Sequence, residues 1–346
     1  MNEKKRTIEF KFAGGAAAQT LGLMNAIFVQ LETGRPFRIR HFPHSTGTYW
    51  PLAIDFLLDK DELINSESSI RGFKPNMDLQ VGKIIQDHPL EKRFFSYERF
   101  LKWVRLLGLE YRLRRFLGEV ALEATASRLR TIDKNILKVS GGYVPILDAR
   151  VMSELNDRFL RRRGKKSPFS SDYISKHKYV VFHYRIGDKR ATFNIENDFG
   201  GDGIFDPNCF KKLLDGISRE DFTEVYVVSD EPYTALGLLK DVGIEAKLFK
   251  KTHDIWMDLF YLSQARYLIG SWSQVSQLAA ICVAHKGGQA FLPSFSSHAK
   301  QVHWQIKSVK FFAPTYLPKG HPIYKLDFSP DDDSHKSYMT TTESKN

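Results

Sequence analysis

Cysteine and long apolar runs are both scarce in this sequence. Its 346 residues include two cysteines, Cys209 and Cys282, and each falls in a predicted helix. Two isolated thiols exclude a disulfide framework, so both are expected to be reduced and buried. No run of about 18 apolar residues occurs, so no transmembrane helix is expected. Residues 2–6 are polar and lead directly into a strand-like segment at 7–12, so we expect no signal peptide and a cytoplasmic location.

The sequence also lacks the residue clusters that bind metals or recognise nucleic acids. His41 and His44 lie three residues apart near the end of a predicted strand, and no further ligand stands at a useful spacing from them. We therefore expect neither a metal nor another cofactor. No motif that combines aromatic with basic residues is present, so nucleic acid is not an expected partner.

Positive charge is what the sequence has in excess. Its 51 lysines and arginines outnumber 40 acidic residues, and the resulting net charge of +11 favours an anionic partner. Charge alone does not choose among a nucleotide, an acidic glycan, a phospholipid surface and a polynucleotide. Basic residues cluster at 112–115 and at 161–166. These clusters indicate either a solvated helix face and an interdomain linker, or a patch that binds the acceptor or contacts the inner face of a membrane.

The N-terminal half begins with one βαβ unit, in a chain long enough for two domains. Its strand, helix and second strand are expected at 7–12, 17–33 and 37–40. Apolar spacing from about 55 to 137 is mainly helical, which predicts a helix-rich insertion in this lobe. Between 156 and 178 the composition turns to Arg, Lys, Ser, Gly and Pro, which is typical of a domain boundary.

The C-terminal half alternates regularly between strands and helices. Strands are predicted at 179–183, 224–230, 246–249, 267–270 and 289–292, with helices at 207–214, 232–241, 254–264 and 274–284. Strands separated by single helices form a parallel, doubly wound sheet. The predicted fold is therefore α/β, with two Rossmann-like lobes at 1–170 and 171–325 followed by a disordered tail at 326–346.

Ligands of an open parallel sheet bind beyond the carboxyl ends of its strands, and three of these ends carry polar residues. The first loop contains His183, Arg185, Asp188 and Lys189. A guanidinium binds a diphosphate bidentately and neutralises the charge on a departing nucleoside diphosphate, which is what glycosyl transfer requires. Alternatively, Arg185 pairs with Asp188 and only braces the loop.

The other two strand ends carry hydroxyl and carboxylate groups. Ser271, Ser273 and Gln274 join a strand to a helix, where the hydroxyls either cap the helix or bind an anion together with its unpaired N–H groups. In the preceding helix Asp254 and Asp258 lie four residues apart and share a face. One of them is a candidate to bind a base or a ribose, and Asp254 is equally suited to cap the helix.

Four segments resemble motifs of the inverting fucosyltransferases, the group that holds the α-1,2-, α-1,6- and nodulation fucosyltransferases. Residues 183–188 resemble the His-x-Arg-Arg-x-Asp motif, and 225–232 are similar to the second motif, a strand that ends in Ser or Thr followed by Asp. Residues 258–265 together with 271–275 are similar to the third motif. The turn at 14–15 and the helix after it resemble the Gly-Gly-x-Gly-Asn-Gln opening of two branches.

The resemblance, which covers about 8–40 and 180–295, implies a GT-B fold, GDP-fucose as the donor, no required metal and inversion at the anomeric carbon. It places Arg185 at the donor's β-phosphate with His183 beside it, and Asp258 at the guanine. The donor-binding residues that we predict are His183, Arg185, Lys189, Asp230, Asp258, Ser271, Ser273, Gln274, Gly14 and Gly15.

The expected reaction is a direct displacement, in which Arg185 and the helix after Ser273 stabilise the leaving diphosphate. Glu196 is the first candidate for the general base that deprotonates the acceptor, and Asp188 is the second. The acceptor is expected to be a glycan or a glycolipid. Ile186 stands where the family has its second arginine, so two alternatives stay open: a GT-B transferase that uses another nucleotide sugar, and a non-catalytic carbohydrate- or polyanion-binding protein.

Overall fold

The computed structural model divides the chain into two compact units. The N-terminal unit comprises Met1–Lys165 with Gln301–Lys307, and the C-terminal unit comprises Lys166–Lys300 with Ser308–Asn346. The described residues are 7–12, 15–41, 53–59, 62, 127, 130, 136–140, 148–164, 166–171, 178–187, 189, 203–249, 254–293, 308–318 and 320–325.

A three-stranded parallel sheet organises the N-terminal unit. Strand β1 (Thr7–Phe12) lies between β2 (Phe37–His41) and β3 (Ile136–Ser140), and both pairings are parallel. Helix α1 (Ala16–Thr33) connects β1 to β2, so the predicted βαβ unit is confirmed. The helix ends where Gly34 adopts a left-handed φ of 65° and its N–H donates to the carbonyl of Gln30 at 2.8 Å.

Strand β3 corrects part of the sequence prediction. The apolar spacing predicts helix up to about residue 137, yet Ile136 and Leu137 belong to a strand that pairs with β1. A short apolar run fits a helix and a buried strand equally well, and here the pairing with β1 decides. A 3₁₀ turn at Asp55–Leu57 is described within the predicted insertion. Most of that insertion, with the basic cluster at 112–115, lies outside the described residues.

Helix α2 (Ala149–Arg163) extends into the segment that composition assigns to a domain boundary. Asp148 caps the helix, because its Oδ1 accepts a hydrogen bond of 2.8 Å from the N–H of Arg150. The last turn contains Arg161, Arg162 and Arg163, where positive charge lies at the negative end of the helix dipole. The interpretation of these three arginines as linker is therefore wrong: they complete a helix.

Six parallel strands form the sheet of the C-terminal unit. They are β4 (Tyr179–His183), β5 (Glu224–Val228), β6 (Lys247–Leu248), β7 (Tyr267–Gly270), β8 (Gln289–Pro293) and β9 (Val309–Phe312). Their order is β6-β5-β4-β7-β8-β9, and every pairing is parallel. The predicted α/β fold with a parallel, doubly wound C-terminal sheet is confirmed. The edge strand β9 was not predicted, since its four residues follow no helical segment in the sequence pattern.

The order of the strands changes direction between β4 and β7. From β4 the chain moves outward through β5 to β6, and it then returns to place β7 on the other side of β4. The connecting helices are α3 (Pro207–Asp215), α4 (Pro232–Asp241), α5 (Ile255–Ser263) and α6 (Gln274–His285). Such a reversal opens a crevice beyond the carboxyl ends of the two strands, which is where open α/β sheets bind ligands.

Strand β4 and the residues after it alternate between the two faces of the sheet. Tyr184 and Ile186 are fully buried in one core cluster with residues of α3 and α4. His183 belongs to the opposite face, because its Nδ1 lies 2.6 Å from Oγ of Ser276 in α6. Since successive side chains of an extended segment point to opposite faces, Arg185 emerges on the same side as α6.

Candidate functional site

Two segments meet at the carboxyl ends of β4 and β7: the arginine loop, which begins at Tyr184 after β4, and the serine turn Ser271–Ser273 between β7 and α6. The backbone N–H of Arg185 donates to Oγ of Ser271 at 3.1 Å, and Nη1 of Arg185 donates to Oγ of Ser273 at 3.2 Å. The N–H of Ser271 donates to the carbonyl of His183 at 2.9 Å, between the same two strand ends. The structure thus brings together four of the residues predicted to bind the donor, and it does so at the reversal of strand order.

Ser273 has two contacts at the start of α6. Its Oγ accepts a hydrogen bond of 3.1 Å from the N–H of Val275, so Ser273 is the N-cap of the helix, and the same oxygen accepts from Arg185. The start of a helix presents unpaired N–H groups and the positive end of its dipole. Because the guanidinium of Arg185 adds a full positive charge there, this corner of the sheet is suited to bind an anion.

Burial strengthens the electrostatics of this corner. The side chains of Ser271 and Ser273 are buried, with 4% and 6% exposed, and Arg185 is partly buried. A charge that is partly removed from water is screened less, so its attraction for an anion exceeds that of an exposed arginine. Gln274, the first residue of α6, is also partly buried and lies next to Ser273 along the chain.

His183 contributes to the packing of α6 against the sheet. It is buried, and its Nδ1 hydrogen-bonds with Oγ of Ser276, a fully buried serine of α6. Gly270, at the end of β7, allows this close approach, because a Cβ there would stand 2.8 Å from Cβ of Ser276 and 2.8 Å from Cδ2 of Leu292. Ser276 and Gly270 were not predicted. The sequence signal that could have identified Ser276 is its polar side chain among the apolar residues of a buried helix.

Asp230 holds the backbone of the arginine loop. Strand β5 ends at Val228, and two residues later Oδ1 of Asp230 accepts from the N–H of Ile186 at 2.9 Å. Its Oδ2 accepts from the N–H of Gly187 at 3.1 Å. The predicted strand up to residue 230 is therefore two residues too long, because Asp230 has left the ladder to make these side-chain contacts.

Ile186 is fully buried in the core cluster of the C-terminal unit. It packs on the face of the sheet opposite α6, at the position where the His-x-Arg-Arg-x-Asp motif that residues 183–188 resemble has its second arginine. Of these two adjacent residues, Arg185 points toward the start of α6 and Ile186 points into the core. Lys189 lies in helical backbone directly after the loop, and its N–H donates to the carbonyl of Ile186 at 3.1 Å.

Helix α5 carries the two aspartates singled out in the sequence. Asp254 is its N-cap, since its Oδ1 accepts a hydrogen bond of 2.9 Å from the N–H of Trp256, so the capping interpretation is correct. Asp258 lies in the first turn of the same helix. Its predicted contact with a guanine base stays a prediction.

Of the remaining predicted residues, one belongs to the N-terminal unit and three lie outside the described residues. Gly15 belongs to the N-terminal unit, where it is the N-cap of α1 with extended backbone angles. Gly14, Asp188 and Glu196 lie outside the described residues, and so the choice between the two candidate bases stays a prediction.

The two cysteines are structural. Both are buried and unpaired with each other, as the sequence predicts. Burial raises the pKa of Cys209 to about 11 and that of Cys282 to about 12. Neither thiol is therefore a nucleophile near neutral pH.

Two further findings concern the described part of the chain. No group of three or more His, Cys, Asp and Glu residues lies close enough together there to hold a metal ion. No helix within the same residues is both long and apolar enough to cross a bilayer.

Neither a protein-family model nor a curated protein matches the sequence. The solved structures that resemble the chain include a heptosyltransferase and a fucosyltransferase. POFUT1 in complex with GDP is 12% identical over 84% of this chain and 99% of its own, with a TM-score of 0.37. E. coli heptosyltransferase WaaC with ADP is 10% identical over 88% and 90%, with a TM-score of 0.36. NodZ α-1,6-fucosyltransferase soaked with GDP-fucose is 11% identical over 80% and 92%, with a TM-score of 0.36.

Proposed function

We propose that this protein is a glycosyltransferase that binds the diphosphate of a nucleotide sugar between Arg185 and the start of α6. The observation that carries the proposal is the hydrogen bond of 3.2 Å from Nη1 of Arg185 to Oγ of Ser273, at the reversal of strand order between β4 and β7. A guanidinium and a helix N-terminus converge there. Both favour an anionic ligand, and a phosphate group suits both.

The proposed reaction is a single displacement at the anomeric carbon of the donor sugar. The acceptor hydroxyl oxygen forms a bond to this carbon while the bond from the carbon to the β-phosphate oxygen breaks. The leaving nucleoside diphosphate takes the electron pair, and Arg185 with the N–H groups of α6 stabilises the negative charge that develops on it. The hydroxyl proton passes to a carboxylate base, for which Glu196 and Asp188 are the candidates. Because protein groups neutralise the diphosphate, the proposed reaction needs no metal.

GDP-fucose is the proposed donor, with a glycan or glycolipid as acceptor and a cytoplasmic reaction that can take place at a membrane surface. Support for this donor comes from the order of the motifs along the chain, from 183–188 to 271–275. Asp258, the proposed guanine ligand, lies in the first turn of α5, and α5 packs against α6. The burial of Ile186 leaves Arg185 as the arginine that the motif supplies to the phosphates.

Calorimetric titration with GDP, UDP and ADP, followed by hydrolysis assays with their sugars, tests the proposal. We expect GDP to bind, and the Arg185→Ala variant to lose at least about ten-fold in affinity and nearly all turnover. Arg219→Ala is the matched control, because Arg219 is exposed and its guanidinium lies 5.3 Å from the ring centroid of Phe222. Equal GDP affinity in wild type and Arg185→Ala would remove the proposed function.

The assays also separate the two alternatives. Preferential binding and turnover of UDP- or ADP-sugars, still dependent on Arg185, would replace GDP-fucose and keep the transferase. Salt-sensitive binding of heparin without hydrolysis or transfer of any nucleotide sugar would favour a polyanion-binding protein, in keeping with the net charge of +11.

A further inference from the structure

We infer that Asp230 is a positioning residue: its carboxylate holds the arginine loop so that Arg185 points to the start of α6, and it does not contact the donor. The inference rests on the proposed function, because the donor site is the one proposed above. It also replaces the prediction, drawn from the resemblance, that Asp230 belongs to the donor-binding set.

The backbone after β4 is tied on both sides to the neighbouring strand ends. Four successive N–H groups each donate one hydrogen bond: Tyr184 to the carbonyl of Val228 at 2.9 Å, Arg185 to Oγ of Ser271 at 3.1 Å, Ile186 to Oδ1 of Asp230 at 2.9 Å, and Gly187 to Oδ2 of Asp230 at 3.1 Å. Because each of these N–H groups has an acceptor within the protein, the loop does not offer them to a phosphate. Among the groups described above, the guanidinium of Arg185 and the start of α6 remain to bind an anion.

The two carboxylate oxygens of Asp230 each accept one hydrogen bond from the arginine loop. One carboxylate accepts from two successive N–H groups, which fixes the peptide plane directly after Arg185. Ser229 braces the carboxylate, since its Oγ donates to Oδ1 at 3.3 Å and accepts from the N–H of Glu231 at 3.0 Å. An ionised carboxylate is an acceptor only, so it would repel a diphosphate rather than bind one.

Gly187 shows how closely the carboxylate approaches the loop. A Cβ at this position would stand 3.1 Å from Oδ2 of Asp230, which is tighter than most contacts of a real Cβ, and 3.4 Å from Oε1 of Glu231. A side chain at residue 187 would therefore require the Asp230 carboxylate to shift by a few tenths of an ångström, which would strain its hydrogen bonds to the two N–H groups. Gly187→Ala is consequently a second way to weaken the hydrogen bonds between Asp230 and the loop, and it leaves the charge unchanged.

The direction of the Arg185 side chain depends on the backbone that Asp230 holds. Tyr184 and Ile186 are fixed in the core on one face of the sheet, so Arg185 has to emerge on the other face, toward Ser273. Without the Asp230 carboxylate, the N–H groups of Ile186 and Gly187 lose their acceptor, and the peptide that follows Arg185 becomes free to rotate. The guanidinium would then sample positions away from α6, and its affinity for a diphosphate would fall.

A double-mutant cycle with GDP as the probe tests the inference. Affinities are measured by calorimetry for wild type, Asp230→Ala, Arg185→Ala and the double variant. We expect Asp230→Ala to weaken GDP binding about ten-fold, and to have almost no further effect once Arg185 is absent. Asp241→Ala, which removes an exposed aspartate at the end of α4, is the matched control for charge. Losses that simply add in the double variant would overturn the inference, because they indicate an independent contact between Asp230 and the nucleotide.

A second measurement does not depend on turnover. In protein labelled with ¹⁵N-glycine and ¹⁵N-isoleucine, Asp230→Asn should shift the amide signals of Gly187 and Ile186 and speed their hydrogen exchange, because a carboxamide oxygen replaces only one of the two acceptors. Unchanged amide signals would overturn the proposed role of the Asp230 carboxylate, even if the affinity for GDP falls. Should Asp230→Ala fail to fold, Asp230→Asn and Gly187→Ala take its place in the cycle. Failure of the proposed function has a different signature, since Arg185→Ala alone would then leave GDP affinity unchanged.

Discussion

Nη1 of Arg185 donates a hydrogen bond of 3.2 Å to Oγ of Ser273, although the two residues stand 88 positions apart in the sequence. The contact joins the carboxyl ends of β4 and β7, which are neighbours because the strand order reverses between them. Ser273 at the same time caps α6. One oxygen therefore couples the stability of a helix end to the orientation of the proposed catalytic cation.

Ser273→Ala should reduce stability and nucleotide affinity together. Loss of an N-cap costs about 1 kcal/mol of the free energy of unfolding, and loss of the contact with Arg185 should weaken GDP binding several-fold. Denaturant unfolding and calorimetry measure the two effects. Ser218→Ala is the control, because Ser218 caps an exposed 3₁₀ turn at Arg219–Asp221 and should leave GDP affinity unchanged. A Ser273→Ala variant that binds GDP as wild type does would contradict the proposed anion site.

Ile186→Arg should destabilise the C-terminal unit instead of supplying the second arginine of the motif that residues 183–188 resemble. Ile186 is fully buried in the core cluster, and an unpaired charge placed there costs about 3 kcal/mol or more. Ile186→Leu nearly conserves the volume and should cost less than about 1.5 kcal/mol. Denaturant unfolding of both variants is the measurement. A stable Ile186→Arg protein with tighter GDP binding would show that this residue reaches the site.

Gly270→Ala should destabilise the protein by about 1–3 kcal/mol, which is the usual cost of overpacking. The new methyl group would stand 2.8 Å from Cβ of Ser276 and from Cδ2 of Leu292, so α6 would have to move away from the sheet. Gly237→Ala is the matched control in α4, where nothing lies within 4 Å of the new Cβ, and it should stabilise by about 0.4–1 kcal/mol. Equal thermal midpoints for the two variants would contradict the tight packing described at Gly270.

Alkaline pH should weaken the protein through its buried thiols. The pKa of Cys282 rises from an ordinary 9.0 to about 12 because burial disfavours the thiolate. Above about pH 9 the unfolded chain therefore loses this proton while the folded protein keeps it, so the free energy of unfolding falls as pH rises toward 12. Cys282→Ala should make the fall between pH 9 and 11 less steep, measured by urea unfolding at each pH. In the native protein at pH 8 a thiol reagent should react only as fast as the protein unfolds, and prompt reaction would contradict the burial.

Regular elements were the part of this fold that the sequence could predict. Strand β4 and helix α4 have the bounds expected from their patterns, because a buried apolar run and a proline at a helix start are local signals. Local sequence signals did not predict where β5 ends or that β3 and β9 exist. Asp230 leaves the strand to bind the N–H groups of a loop more than 40 positions away, and Ile136–Ser140 forms a strand through its pairing with β1.

The candidate site shows the same division. The sequence by itself determined that Arg185 follows a buried strand and that Ser273 precedes a helix, since strand and cap signals lie within a few residues of each position. Only the tertiary structure decided that the two meet, that Ile186 faces the core and that Asp230 binds backbone N–H groups. Those outcomes follow from the order of the strands and from the register between them, which long-range pairing and packing fix.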